Sequence, residues 1–306
     1  MRVMMIVDRY NWAYDSIAQN LVDCNPTDWR IDIEKVKNNR KVIKKKMHKY
    51  DFFFVIGWQN YDSIDFLPKD KTITGVHSHH SWDNRLTTPD KDCEPPPELI
   101  DNLNGFLGVN AVSKRLANLF RDFGVSKIHY TPNGVNSEMF EPSKKEKKVF
   151  YAGYSGTKKH DWRKGTSEII IPSTEKAKVP CKLAMLKDNS HIPLDEMPQF
   201  YQQLSCYLCA SLSEGFSLSV LEAASCGVPV ISTRVGGCTE LIRHEENGFL
   251  VDRNIDSFVE CIERLKENDG LREAISYNIR KTVLQEYCWE IKSMKWFDFM
   301  KECFDA

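Results

Sequence analysis

Short apolar runs separated by helix-length segments recur along this 306-residue chain, and that alternation limits its fold more than any other feature. Residues 2–7 form the first run, and 52–56, 72–76, 105–109 and 127–131 follow, each bounded by polar or turn residues. The pattern resumes at 149–153, 182–185, 206–209 and 228–233, with helical spacing predicted near 167–176, 197–203 and 211–226. Buried strands in alternation with helices predict an α/β fold whose parallel sheets are covered on both faces. The break is the charged stretch 141–148 around Pro142, which sets the expected domains at 1–143 and 148–288. Residues 289–306 remain as a last helix with a broad apolar face that must bury against something.

Apolar residues at 42% and charged residues at 28% exclude wholesale disorder, and a net charge of -1 gives no overall field that selects nucleic acid or an anionic membrane. No run approaches the roughly 20 apolar residues that span a bilayer. The opening residues are too short for a signal peptide core, so the expectation is a cytoplasmic protein, with association at a membrane surface left open. Most of the ten cysteines sit in apolar runs and read as reduced core residues. Cys206 and Cys209 form a CxxC, but on a strand they point to opposite faces, which weakens zinc and redox readings.

In an open parallel sheet ligands bind beyond the carboxyl ends of the strands, so the loops after Val7, Val76, Gly153 and Ala210 are the places to search. The last holds Glu214, Gly215, Phe216, Ser217, Leu218 and Ser219, then Glu222 inside the helix that follows. Small residues opening a helix leave backbone N–H groups and a dipole suited to phosphate, and the two carboxylates suit ligand hydroxyls. Ser219 and Glu222 also fit a capping box, which would make Glu222 a device of the helix start.

Glu214 and Glu222, seven residues apart in EGFSLSVLEAASCGVPVIST and followed by Gly236-Gly237 and Asn247-Gly248-Phe249, resemble the E-x7-E signature of retaining glycosyltransferases, in particular family 4. Asn110-Ala111-Val112-Ser113, Pro132-Asn133-Gly134, Arg163-Lys164-Gly165, Met197-Pro198-Gln199-Phe200-Tyr201 and Tyr287-Cys288-Trp289-Glu290 are similar to family landmarks in the same order. The resemblance implies a GT-B fold: two Rossmann-like domains facing across a cleft, with a C-terminal helix crossing back to the first. It further implies a nucleoside diphosphate sugar held by the second domain, an acceptor served by the first, and no metal or other cofactor. By motif position Glu222 would meet the donor ribose, Glu214 the transferred sugar, the backbone from Gly215 to Ser219 the sugar and pyrophosphate, and Lys164 the departing phosphates.

Relatives often carry an arginine directly after the glycine at position 153. Tyr154 stands there instead, so Lys158, Lys159 or Arg163 would substitute, with Gly153 kept among the donor-binding positions. His77 would be the strand-end histidine facing the transferred sugar, and His79 and His80 are its neighbours. His77, His79, His80 and Asp83 could also ligate a metal, but no second cluster converges on them. The loop after Val7 lacks the usual glycines. Its Asn11 and Trp12, with His79, are the acceptor-side candidates, and Tyr10, Trp12 and Tyr14 could either stack on a sugar or pack the interior. The basic stretch from Lys35 to Lys49 reads as a solvated helix face or as a surface for an anionic partner, so the acceptor stands open among glycan, lipid and nucleic acid. The alternative to catalysis is a non-catalytic protein that binds a sugar nucleotide or carbohydrate on the same fold.

Overall fold

The computed structural model describes residues 1–78, 94–145, 148–186 and 192–305. Its contacts divide the chain into two units, one built from described residues of 1–134 and 289–305, the other from those of 135–288. The division falls between Gly134 and Val135, upstream of the charged stretch.

In the first unit the elements run β1 (Arg2–Val7), α1 (Ala13–Asp23), β2 (Arg30–Lys35), α2 (Arg40–Lys46), β3 (Phe52–Val55), β4 (Thr72–Val76), α3 (Pro97–Asn104), β5 (Gly108–Ala111), α4 (Lys114–Asp122) and β6 (Ile128–Tyr130). All six strands pair in parallel in the order β2-β1-β3-β4-β5-β6. Val3 to Val7 are wholly buried, as a continuous apolar strand inside a doubly covered sheet should be. The order reverses at β1, so the crevice of this sheet lies beyond the carboxyl ends of β1 and β3.

Two strands differ from the sequence reading. Arg30–Lys35 forms β2 at the sheet edge, where charged residues alternate with apolar ones and no uninterrupted apolar run marks the strand. The strand expected at 105–109 begins instead at Gly108, because Gly105 closes α3 and the Leu107 amide donates to the carbonyls of Lys69 and Thr72.

The second unit continues with β7 (Ala152–Thr157), α5 (Asp161–Lys164), α6 (Ile171–Lys176), β8 (Cys181–Leu186), α7 (Met197–Gln202), β9 (Cys206–Cys209), α8 (Leu218–Ser225), β10 (Val230–Thr233), α9 (Cys238–Leu241), β11 (Phe249–Val251), α10 (Ile255–Glu267) and α11 (Asp269–Thr282). Its five parallel strands lie in the order β11-β10-β9-β7-β8, with the reversal at β7, so its crevice opens beyond β7 and β9. A π-helical turn at Thr166–Ile170 runs into α6, whose second residue is Pro172. Proline lacks an N–H and crowds the carbonyl four residues back, which favours the wider turn before it. The apolar core includes Ile169, Ile170, Leu208, Ile231, Phe258 and Ile262.

The last helix, α12 (Trp289–Phe304), belongs to the first unit. Trp289, Ser293, Trp296, Phe297, Met300, Cys303 and Phe304 recur at helical spacing and are all buried. Phe304 stacks on Phe52 at 4.3 Å, Trp296 lies 5.9 Å from Phe54, and Phe297 lies 6.2 Å from Trp29. A side-chain carbon on Gly108 would stand 2.3 Å from the Cys303 sulfur, so glycine is what lets β5 meet this helix.

Candidate functional site

In the second unit the crevice is shaped by two loops that brace each other. β7 extends to Thr157, so the loop expected after Gly153 starts four residues later. Gly153 itself lies inside the strand against the Leu204 side chain, and Tyr154 is buried beside it. Lys158 and Lys159 are exposed, whereas Arg163 and Lys164 lie on the short helix α5. That helix ends at Gly165, whose φ of 68° and closeness to the Ala210 carbonyl exclude a side chain. The Arg163 carbonyl accepts from the Leu212 amide at 2.8 Å, and the Arg163 guanidinium donates to the Ser213 carbonyl at 3.2 Å. Arg163 is thus a strut under the loop after β9, while its Nε is buried without a protein partner.

The strut brings Lys164 onto Glu214, where Nζ forms an ion pair and hydrogen bond with Oε1, which also accepts from Ser211 Oγ at 2.6 Å. Burial works to raise the Glu214 carboxyl, but the Lys164 and Arg163 charges and these hydrogen bonds outweigh it, so Glu214 ionises below the ordinary value. The backbone of this loop rests on Gly236 and Gly237. A side-chain carbon on Gly236 would stand 2.2 Å from the Glu214 carbonyl oxygen, and one on Gly237 would stand 2.2 Å from the Phe216 ring. The Gly237 amide donates to the Gly215 carbonyl at 2.8 Å.

The loop then enters α8. Ser217, not Ser219, is the cap residue, and its side chain makes no capping bond. The first amides of the helix, at Leu218 and Ser219, precede any intrahelical partner and carry the positive end of the dipole. Glu222 is no capping device: its Oε2 accepts from the Tyr201 hydroxyl at 2.7 Å. Tyr201 and Tyr207 in turn meet the Ser155 hydroxyl at 3.4 and 2.8 Å. Burial raises the Glu222 carboxyl to about 7, against the lowering effect of the Tyr201 bond. One carboxylate is therefore held ionised by a cation, and the other titrates near neutrality. The tyrosine and serine network was hidden in the sequence, where Tyr201 stood out only as part of a landmark.

In the first unit, Asn11 has a φ of 57°, a conformation asparagine tolerates, and so supplies the turn that glycine gives elsewhere. Its amide donates to Asp15 Oδ2 at 2.8 Å, Trp12 caps α1, and the Arg9 guanidinium lies 4.3 Å above the Trp12 ring. Tyr14 packs inward beside Gly57, while Tyr10 is exposed. The His77 ring lies 4.9 Å from Tyr14 and 6.1 Å from Trp296. Burial lowers its pKa to about 3, so it stays neutral, and its Nε2 is buried without a protein partner. His79 and His80 lie outside the described residues.

Lys41, Lys45, Lys46 and Lys49 of the basic stretch line a shallow depression with Val42 and His48. Lys46 is paired with Glu34 and Arg40 with Asp65. Among the described residues no group of three His, Cys, Asp or Glu side chains is arranged to hold a metal, and no helix is long and apolar enough to cross a membrane.

A family model for glycosyl transferases group 1 matches residues 173–282. An uncharacterised glycosyltransferase of Methanocaldococcus jannaschii is 35% identical over 97 residues, 31% of this chain and 25% of the relative. The capsular polysaccharide biosynthesis glycosyltransferase CapM of Staphylococcus aureus is 32% identical over 108 residues, 34% of this chain and 28% of the relative. The chain thus spans about a quarter to a third of the length of such curated relatives. Among solved structures, sucrose-phosphate synthase from Thermosynechococcus elongatus superposes with a TM-score of 0.77 at 16% identity, covering 100% of this chain and 99% of that one. Anabaena HepE in complex with UDP and glucose gives 0.75 at 14% identity, covering 99% and 100%. Residues 173–282 are therefore similar to glycosyl transferases group 1, and the two parallel-sheet units of the chain have the GT-B fold.

Proposed function

We propose that this protein is a retaining glycosyltransferase that moves a hexosyl or pentosyl unit from a nucleoside diphosphate sugar to an acceptor hydroxyl. The observation that carries the reading is the Lys164–Glu214 ion pair beside the uncapped start of α8, with Glu222 one turn further in. A leaving diphosphate gains negative charge as its bond to the sugar breaks, and a fixed ammonium with free helix amides stabilises that charge most in the transition state. In this reading Lys164 and the amides from Gly215 to Ser219 take the diphosphate, with Arg163 bracing that loop. Glu222 accepts the ribose hydroxyls, and Glu214 a hydroxyl of the transferred sugar.

The C1–O bond to phosphate breaks, the acceptor oxygen bonds to C1 on the same face, and the acceptor proton passes to the departing phosphate oxygen. Glu214, already engaged by Lys164, is a binding group and not a covalent nucleophile. His77, neutral, hydrogen-bonds a ligand hydroxyl, and Asn11, Trp12 and His79 belong to the acceptor side. No step needs a metal. Glycan, lipid and nucleic-acid acceptors remain the classes to screen, the last two through the stretch from Lys35 to Lys49. The HepE complex with UDP makes UDP the first nucleotide to try.

The test is a thermal-shift panel of UDP, GDP, ADP, CMP and dTDP with their sugar conjugates, in which a ligand at 100 times its Kd adds about 2.7 kcal/mol. A selective shift that Glu222→Gln removes supports the donor site, and NMR of the product's anomeric configuration then tests retention. A nucleotide shift with no sugar transferred to any acceptor favours the non-catalytic alternative. No shift with any nucleotide overturns the reading.

A further inference from the structure

We propose that Asn110 is a positioning residue for His77: its side-chain oxygen holds the imidazole in the tautomer protonated on Nε2, which leaves Nδ1 as the acceptor of the ring. Asn110 is wholly buried in β5, and its Nδ2 donates to Thr131 Oγ1 at 2.7 Å. That bond fixes the plane of the amide and turns Oδ1 toward β4, the next strand. There Asn110 Oδ1 and His77 Nε2 are both buried, and neither has a hydrogen-bond partner. They converge over Gly75, where a side-chain carbon would stand 2.2 Å from the first and 2.8 Å from the second. Glycine in β4 is therefore what allows the two groups to approach.

A neutral imidazole carries one N–H and one bare nitrogen, and an amide oxygen can only accept. A bare Nε2 would set lone pair against lone pair, whereas an Nε2–H satisfies both buried atoms, each of which costs about 1–3 kcal/mol when left unmade. Tyr14 and Trp296 lie beside the ring and limit its rotation. Trp296 is itself anchored through Nε1 to the Pro132 carbonyl at 2.9 Å. The consequence for the reaction proposed above is that His77 accepts a hydrogen bond from a ligand hydroxyl on Nδ1. This inference deepens that reading, but its test needs neither donor nor acceptor.

The experiment is long-range 1H–15N NMR of the full chain labelled at histidine, with the His77 signals assigned by their loss in His77→Gln. The expected result is one tautomer, pyrrole-type at Nε2 and pyridine-type at Nδ1. Asn110→Leu and Thr131→Val should convert it to a mixture, and Thr131→Ser should retain it because the hydroxyl remains. Gly75→Ala, which pushes a methyl between the pair while both side chains stay in the sequence, should give the same mixture and serves if Asn110→Leu fails to fold. A pyrrole-type Nδ1 in the parent protein, or a single Nε2–H form that persists in folded Asn110→Leu or Gly75→Ala, would overturn the proposal. Failure of the nucleotide panel would remove the transferase reading and leave the tautomer result standing.

Discussion

A carboxyl that titrates near pH 7 because it is buried, as Glu222 does, ties ligand affinity to proton concentration. Ribose hydroxyls donate to its ionised form, so binding lowers its pKa and releases a proton. Nucleotide affinity is then expected to rise with pH, by up to about tenfold per unit below 7, and to level off above it. Titration calorimetry across pH 5.5–8.5 checks this, and Glu222→Gln should flatten the profile. Stability without ligand runs the other way. The folded state keeps the Glu222 proton up to about 7, against an ordinary value of 4.5, so stability falls as pH rises through that window. Glu222→Gln is expected to be more stable than the parent at pH 8 by about 1–3 kcal/mol, read from melting curves. Lys164 calls for a double substitution. Lys164→Ala should cost about 3–5 kcal/mol by leaving Glu214 buried and unpaired. Adding Glu214→Gln should recover much of that stability but none of the turnover, whereas recovered turnover would argue that Lys164 acts only on the fold. His77→Ala should depress turnover while nucleotide affinity stays within about twofold.

At the scale of elements, the loop from Glu214 to Phe216 owes its place to what lies under it. Gly236→Ala forces a side chain against the Glu214 and Gly215 carbonyls at a φ of 39°, so a loss of about 1–3 kcal/mol is expected. The nucleotide-induced thermal shift should disappear with it. A normal shift in that variant would show that the loop tolerates displacement. Elements with a strong local signal were legible in the sequence. The apolar runs of β1, β4 and β9 and the spaced aromatics of α12 mark those elements at the residues where the structure has them. β2 escaped because an edge strand written Arg-Ile-Asp-Ile-Glu-Lys lacks a continuous apolar run, and β7 was cut short because Gly-Tyr-Ser-Gly reads as a turn. Within the site, Arg163, Lys164, Glu214 and Glu222 stood out by motif. Asn110 appeared only within a landmark, and Ser155 and Tyr207 not at all, because their roles depend on neighbours 21 to 52 residues away.

For the whole molecule, the assignment of α12 to the first unit makes that unit discontinuous, while the described residues of the second lie between Val135 and Cys288. A 135–288 fragment is therefore expected to fold alone and to keep the nucleotide-induced shift. A 1–134 fragment should not fold, because Phe52, Phe54 and Gly108 would lose the aromatic face that covers them. Supplying 289–306 as a separate peptide should restore cooperative melting of 1–134. Melting of 1–134 alone with full cooperativity would mean that α12 covers the sheet without completing it. The same discontinuity sets the order of events at the ribosome. The whole sheet of unit 1 leaves the exit tunnel early, yet it must wait roughly 10–30 s, the time needed to synthesise unit 2, before its closing helix exists. During that interval the residue types most prone to stick to other chains are exposed on the portion made first, so unit 2, although it is begun second, matures before unit 1.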